Sequence, residues 1–576
     1  LGGFLGLAKT LYDAVKRICL LVLMVIIVNL SFTACQLTDG YNKNAYEDPY
    51  FSSYKNNYIV MDKGPVKGGT LKIFSTDSDT LNPLLTQNIY VQNSSSFLYE
   101  GLVGMGKDQK PVPVLAEGWE VSDNGLVWTF HIRDGILWHD DTPLTAEDVE
   151  FTFEVILNAN METVYKSNLQ NVATFAAVDR STFRLVLRKP NSFTAELLTF
   201  PILPKHCSNS GNMASFSSDF KPVGTGPFRF KLYNKQHSIL LVANDKWWNS
   251  KNIENDLPDF PYIDEIEIRI YDSVKDEMSA FQSGDVDMTF IESTDYNKYY
   301  ERSDLIIKKY TGRNFEFLSF NTAKSVLSEK SVRQAVAYAL NRQEIIGRLL
   351  PGKAISADIP VIPGTWLYDS NINSYTADIS KARGLLSENG WREEDGKFYR
   401  IDRGTKKRLE LEILVNTENG LRNEIAEMIK TQLSEAGIGA KVTQLPWDEE
   451  FKRIKAGKYD LVVIGCRIPV VPDMSFLYSV PYLPMFSSTD SGAMNISAYY
   501  NPELPQYIEK FYSEMDYDRR KAIFLNMKNI IIDEVPYLGL FFYTNAVLCN
   551  KNIRGDMEPH IWNRFNDIAK WYIPGK

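Results

Sequence analysis

The chain has 576 residues, with 63 Lys and Arg against 72 Asp and Glu, a formal net charge of −9. Without residues 1–34, which carry Lys9, Lys16, Arg17 and Asp13, the balance is 60 basic to 71 acidic and the net charge is −11. Such a surface repels nucleic acid and draws in no anion from a distance, and the length is too great for one small core, so two or three compact units are expected.

Lys16 and Arg17 precede an apolar run from Ile18 to Val28, and Phe32-Thr33-Ala34-Cys35 follows. A basic start, a short apolar stretch and small residues before a cleavage point mark residues 1–34 as a secretory signal. Cys35 after Thr-Ala looks like a bacterial lipobox, with Phe32 where Leu is usual. Cys35 is then the lipidated first residue of the mature chain, and the membrane is a partner through that lipid. The other reading, a transmembrane anchor, meets an apolar run shorter than the roughly 20 residues a span needs. Leu1 stands where an initiator Met is expected, so residues 1–15 carry no structural weight. Residues 35–68 are polar, rich in Tyr, Asn, Asp and Lys and without periodicity. They read as a tether with a root-mean-square reach of roughly 30 Å.

The folded body starts at the strand Thr70–Phe74. Trp128, Phe130 and Ile132 alternate with Thr129, His131 and Arg133, the period of a half-buried strand. Asp134-Gly135 ends it, and residues His139 to Pro143 form a second polar turn. Thr145 opens a helix, with Asp148 three residues on in a near capping box. Gly224-Thr225-Gly226-Pro227 leads into a strand at Phe228–Phe230, not a helix, so it is a turn and not a phosphate loop. A strand at Ile263–Ile270 and a helix-to-strand step at Gly284–Asp287 close a mainly β region.

The pattern then changes. Leu409–Val415, Ala440–Gln444 and Tyr459–Ile464 read as strands, and Leu421–Ala436 and Asp448–Ala456 as helices, the first closed by Gly437. This β-α-β-α-β run demands a parallel sheet. Ligands approach such sheets beyond the carboxyl ends of their strands. That rule selects Asn416, Leu445-Pro446-Trp447 and the loop from Gly465 through Cys466, Arg467 and Ile468 to Asp473. Leu538–Tyr543 and Asn566–Ile573 read as final strands.

Other chemistry is poorly supported. Asp140-Asp141 and Glu147-Asp148 fall in a turn and in the first turn of a helix, where acids favour the dipole; glycosidase acids face each other across a cleft. His131 and His139 flank one turn, and His206, His237 and His560 stand apart, so no metal is expected. No nucleophile sits in a recognisable elbow, and no cofactor is implied. Beyond Cys35 the mature chain has Cys207, Cys466 and Cys549, an odd number without CxxC spacing. Three buried free thiols are expected, although Cys207 and Cys549 could pair in an oxidising compartment.

The block from Ala116 to Phe151, with Trp119, the Arg133-Asp134-Gly135 turn and the helix at Thr145, closely resembles the signature of the family 5 extracellular solute-binding proteins. These are oligopeptide and dipeptide receptors of ABC importers. Asp141 stands where the family usually has Gly, and Asp tolerates the left-handed turn conformation better than most residues. The resemblance runs from Gly69 to Ile573. It includes residues Phe97 to Leu102, Pro222 to Phe228, Ala280 to Asp287, and Val332 through Asn341-Arg342.

This resemblance implies an α/β fold of the two-lobed periplasmic-binding-protein-like clamp type. The clamp is type II, of the large cluster with an extra subdomain in lobe I, and has two hinge crossovers, near Phe317–Asn321 and Pro536–Leu540. The implied division is a signal at 1–34, lipidated Cys35 and tether at 35–68, and lobe I at 69–103 and 207–316 with the subdomain 104–206 between them. Lobe II takes 317–537, and 538–576 return to lobe I.

An extracytoplasmic monomer follows. It is held at the membrane by lipid, closes over a peptide or other small polar solute, and passes that solute to ABC permease subunits. Asn88, Ile89 and Tyr90 fall at the opposing lobe's cleft edge, and Met494–Ser497 resembles another cleft strand, which makes Asn495 a candidate contact. In the peptide receptors, the segment matching residues 465–477 supplies an aspartate for the ligand's α-amino group. Aligned on Ser475-Phe476-Leu477, that aspartate falls on Pro469. Either Asp473 substitutes for it or the ligand has no free amine. An oligosaccharide receptor, with Trp366 and Trp447 as stacking platforms, and a secreted hydrolase are the alternatives.

Overall fold

Two long strands organise the molecule, Leu305–Phe320 and Tyr537–Asn550, paired antiparallel along most of their length. Phe315, Phe317, Leu318 and Phe320 on one, and Leu538, Leu540, Phe541 and Phe542 on the other, are all buried. Apolar side chains on both faces are what a strand needs when it is covered on both sides. In the computed structural model, residues 64–158, 162–208, 221–252, 257–291, 299, 302–369, 375–472 and 495–574 are described. Cys35, the signal and Asp473 lie outside them.

The long pair belongs to a seven-stranded sheet in the order Met288–Ile291, Tyr537–Asn550, Leu305–Phe320, Leu461–Arg467, Glu410–Asn416, Gly439–Leu445, with Ala354–Ser356 added on Tyr537–Asn550. At one end the pair joins Met288–Ile291 and packs Leu305, Ala546 and Leu548 with Phe74 and Phe281. At the other it joins Leu461–Arg467 and packs Leu318, Phe320, Leu538 and Leu540 with Val332, Leu411, Ile413 and Ile425. Between these ends the register breaks. Thr311 faces Thr544 and Phe315 faces Phe542, which leaves Gly312, Arg313 and Asn314 off the second strand. The break falls ahead of the Phe317–Asn321 stretch, and residues 315–320 already pair with Leu461–Arg467.

Lobe II has the expected βαβαβ order. Glu410–Asn416 is parallel to both Gly439–Leu445 and Leu461–Arg467, and the helices Gly420–Glu435 and Trp447–Lys455 connect them. The first helix buries Ile425, Ala426, Ile429 and Leu433 on one face. It ends at Gly437, whose φ is +82° and whose added Cβ would meet the Gly396 carbonyl at 2.9 Å, so the position requires glycine.

Lobe I contains a four-stranded sheet, Thr70–Thr76, Glu265–Tyr271, Ser238–Ala243 and Phe228–Asn234, whose first pair is parallel. A second sheet, Ala116–Val121, Val127–Ile132, Thr182–Leu187 and Val172–Ala177, is antiparallel and packs under the helix Ala146–Leu157. Trp128, Phe130 and Ile132 alternate inward as their spacing demands. Thr145 and Asp148 form the capping box, and Asp141 takes the turn at φ +69°.

Four expectations are corrected. Asn566–Ile573 is not a strand. Asp567 turns left-handed at φ +57°, Ile568–Lys570 is a single 3-10 turn, and Ile568 and Trp571 anchor it by burial. Trp366 is no stacking platform. It is 8% exposed, beneath the Arg520 guanidinium 5.1 Å above its ring, in the core where the subdomain's Phe193 meets Phe511 and Phe524. The three cysteines among the described residues are free, but only Cys549 is buried; Cys207 and Cys466 are half-buried. His206 does not stand apart, since its Nε2 lies 2.7 Å from Asp140 Oδ2. No helix among the described residues is long and apolar enough to cross a membrane.

Candidate functional site

The carboxyl ends of the lobe II strands converge on a buried polar cluster. Asn419 caps the helix Gly420–Glu435 by accepting from the Arg422 N–H at 3.0 Å, and this places Arg422 in the helix's first turn. Arg422 donates through Nε and Nη2 to the two Glu316 oxygens, both at 2.9 Å. The pair is nearly sealed, with Glu316 5% and Arg422 14% exposed. Burial opposes the Arg422 charge, and Glu316 more than restores it, holding the guanidinium above its ordinary pKa.

Gly465 faces Glu316 directly across the ladder. An added Cβ there would sit 2.3 Å from Glu316 Oε1 and 2.7 Å from Arg422 Nη2. The ion pair therefore occupies the space a side chain would need.

Near this pair are buried acceptors with no hydrogen-bond partner among the described residues: Asn416 Oδ1, Asn423 Oδ1 and Glu450 Oε1. Asn423 Nδ2 donates to the Asn416 backbone carbonyl at 3.1 Å, which ties the helix's first turn to the strand end. Burial pushes the Glu450 carboxyl up to about 7; Arg422 pulls it down and Glu418 raises it. Trp447, 39% exposed and stacked 5.4 Å from Phe451, begins the helix that carries Glu450. Buried acceptors of this kind are costly unless a donor meets them. The cluster can take N–H or O–H groups at its acceptors, and any ligand anion must compete with Glu316 for Arg422.

Asn416, Trp447 and Gly465 are thus brought together, and sequence reasoning missed Glu316, Arg422, Asn423 and Glu450 between them. Two signals were available. Glu316 interrupts the apolar run Phe315–Leu318, and Arg422 puts a cation at a helix N-terminus, where the dipole disfavours it.

The loop beyond the strand is tied down. Arg467 is exposed at the strand's end, opposite Asn314. Ile468 is buried; its N–H donates to the Arg313 carbonyl at 2.8 Å, and its own carbonyl accepts from Arg313 Nε. Gln109 Nε2, from the subdomain, donates to the Val470 carbonyl at 2.7 Å. Burial, then Glu316, pushes the Cys466 thiol up to about 12, which disfavours its thiolate.

The remaining candidates lie elsewhere. Asn88 caps the helix Ile89–Ser95, accepting from the Tyr90 N–H and donating to Thr76 Oγ1, both at 2.9 Å, so its amide is engaged within lobe I. Ile89 is 48% exposed. Tyr90 donates to Glu277 Oε2 at 2.7 Å. Asn495 is held in a turn, donating to the Tyr499 carbonyl at 2.7 Å and accepting from Ser497 Oγ at 2.8 Å. A cavity of about 550 Å³ opens on the subdomain, lined by residues such as Glu147, Asp179, Arg180 and Lys205. It is apart from the cluster, and its charged, open lining holds none of the buried acceptors a specific site needs.

Two lobes joined by a broken-register strand pair, with a polar cluster at the carboxyl edge of one, define a solute-binding clamp. Residues 110–483 match the family described as bacterial extracellular solute-binding proteins, family 5 middle, and the chain belongs to that family. It is similar to the oligopeptide-binding protein AppA of Bacillus subtilis, 26% identical over 88% of this chain and 92% of the relative. It is also similar to the dipeptide-binding protein of Escherichia coli, 27% identical over 85% and 92%. The solved structure of HbpA2 from Haemophilus parasuis superposes with a TM-score of 0.73 at 22% identity, over 88% of this chain and all of that one.

Proposed function

We propose that this chain is the extracytoplasmic, lipid-anchored receptor of an ABC importer, capturing oligopeptides by lobe closure and delivering them to a membrane permease. The observation that carries the reading is the set of buried acceptors on Asn416, Asn423 and Glu450, near Arg422, that have no partner among the described residues. Peptide amides supply the donors such acceptors lack, whatever the side chains, and the relatives named for peptide binding support the ligand class. Lobe I is residues 69–316 and 538–576, with the subdomain 104–206 inserted, and lobe II is 317–537. The register break at Gly312–Asn314 is the element that bends. Passing from mostly open to mostly closed takes about 5 kcal/mol of preference for the closed state.

Cys35 carries the lipid, and residues 36–68 span the gap to the permease. No hydrolytic step belongs to this reading, and the high thiol pKa of Cys466 supports that.

Incubating the pure protein with peptide and oligosaccharide pools, then analysing retained and altered molecules by mass spectrometry, tests the reading. Unaltered peptides retained at one per chain are the expected result. Retained sugars would favour the oligosaccharide receptor, and cleaved products would favour a hydrolase; either outcome overturns the proposal.

A further inference from the structure

Two turns of lobe I bring three donors of metal-ligating type to one point. Asp140 lies in the turn between the strand Val127–Ile132 and the helix Ala146–Leu157, while His206 and Cys207 share the single turn Lys205–Cys207. Asp140 Oδ2 and His206 Nε2 are 2.7 Å apart, and one ligand atom from each of the three, Cys207 Sγ included, lies within 4.8 Å of the others.

The backbone beneath these donors is held independently of them. His139 is locked by Gly224 N–H on Nδ1 and by the Gly226 carbonyl at Nε2, both at 3.1 Å. Trp138 N–H closes its turn on the Thr142 carbonyl at 2.8 Å. The other turn hangs on Asp148 Oδ1, which accepts from Lys205 N–H at 2.8 Å.

Burial, then Asp140 and Asp148, pushes the Cys207 thiol up to about 11. The neighbouring ammonium groups are engaged elsewhere, Lys205 with Glu147 at 2.8 Å and Lys246 with Asp141 at 2.7 Å. A cation arriving between the donors takes the place of the His206–Asp140 hydrogen bond and meets the Asp140 carboxylate.

An Asp–His ion pair accounts for two of these side chains but not for a free thiol beside them. Tetrahedral zinc, with bonds of about 2.0–2.3 Å, sets its donors roughly 3.5 Å apart. The present spacings run from 2.7 Å between Asp140 and His206 to no more than 4.8 Å within the set. Asp140 and His206 are 39% and 34% exposed, so their ends can turn by the ångström required.

We propose that Asp140, His206 and Cys207 form a surface zinc site with carboxylate, imidazole and thiolate donors and a fourth position for water. Such a mixed donor set suits zinc better than magnesium or calcium. On binding, the Cys207 thiol releases its proton to solvent as the sulfur–metal bond forms. The ion then cross-links the two turns where the subdomain's helix meets the chain leading back into lobe I.

The test uses the untagged full chain, stripped with a chelator and titrated with Zn²⁺ against a chromophoric competitor, then with Co²⁺ for its spectrum. One equivalent of Zn²⁺ and a thiolate-to-cobalt charge-transfer band are expected. Cys207→Ser should abolish the band. Changing a second-shell group alone costs about 10–100-fold in affinity, so Cys207→Ser and Asp140→Asn should each weaken Zn²⁺ by more than about tenfold. His237→Ala, at an exposed histidine elsewhere, should leave affinity unchanged. A missing charge-transfer band, a band that survives Cys207→Ser, or unchanged affinity in both site variants overturns the proposal.

Discussion

Gly465→Ala is the sharpest test of the buried cluster. The new Cβ would lie 2.3 Å from Glu316 Oε1 and 2.7 Å from both Glu316 Cδ and Arg422 Nη2, against an ordinary contact above 3.4 Å. The backbone cannot retreat without disturbing the ladder pairs Phe317–Ile464 and Phe315–Cys466 on either side. The carboxylate must therefore move by about an ångström and release at least one of its two 2.9 Å bonds to Arg422.

Breaking a sealed pair so that one charge is left unmet costs roughly 3–5 kcal/mol. Arg422 retains some water access, and replacing glycine within a strand returns about 0.5–1 kcal/mol. A net loss of about 2 kcal/mol is expected, read as a lower urea midpoint at an unchanged slope. In a Glu316→Ala/Arg422→Leu background the same substitution should cost less than about 0.5 kcal/mol, because contacting sites are not additive. Equal losses in both backgrounds would refute the steric account, and no loss in the native background would refute the packing itself.

Three further outcomes are expected. Burial pushes Glu100, Glu196 and Glu450 up to about 7 from 4.5, so the folded chain binds more protons than the unfolded one between those values. Their contribution is fully present below about pH 4.5 and is lost as pH rises to about 7. Glu196→Gln should flatten the fall in melting temperature across this window, and an unchanged slope would remove Glu196 from the account. Cys35→Ser should move the expressed protein from the detergent to the aqueous phase; equal partitioning of the two forms would reject lipidation. Acetylating the N-terminus of a bound peptide should change its calorimetric affinity little, because Pro469 offers no carboxylate. A loss above about 2 kcal/mol would mean that another acid, Asp473 first, holds the ammonium.

The parallel sheet of lobe II was legible because each of its elements carries its own period and its own stop, such as Gly437 after the helix that buries Ile425, Ile429 and Leu433. Strand ends at Asn416, Trp447 and Gly465 followed from that topology alone. The residues between them did not follow. Glu316 reaches Arg422 over 106 positions of chain, and neither side chain carries a local mark of its partner. The same blindness hid Asp140 from His206, which lie 66 residues apart. The C-terminal segment misled for a different reason. Ala569, Trp571 and Ile573 recur at every second residue, and in a short window such spacing passes for a strand.

The register break and Glu316, which anchors the polar cluster through Arg422, lie on one strand, and in the proposed clamp this links binding to bending. Arg313 stands in the break. It holds Ile468 by both backbone groups of that residue, and its guanidinium lies 5.5 Å from the ring of Trp562 in the C-terminal segment. Glu316, three positions on, carries the Arg422 pair and faces Gly465. A change in twist at Gly312–Asn314 must shift the loop after Gly465 through Ile468, and the acceptor cluster through Glu316. Conversely, a ligand that fixes Arg422 and the acceptors restricts the rotations open to the break. Any ligand whose contacts differ between the two settings of the break then shifts their populations by that difference in binding free energy. In the proposed clamp, the long strands join the lobes and also carry the coupling between occupancy and closure.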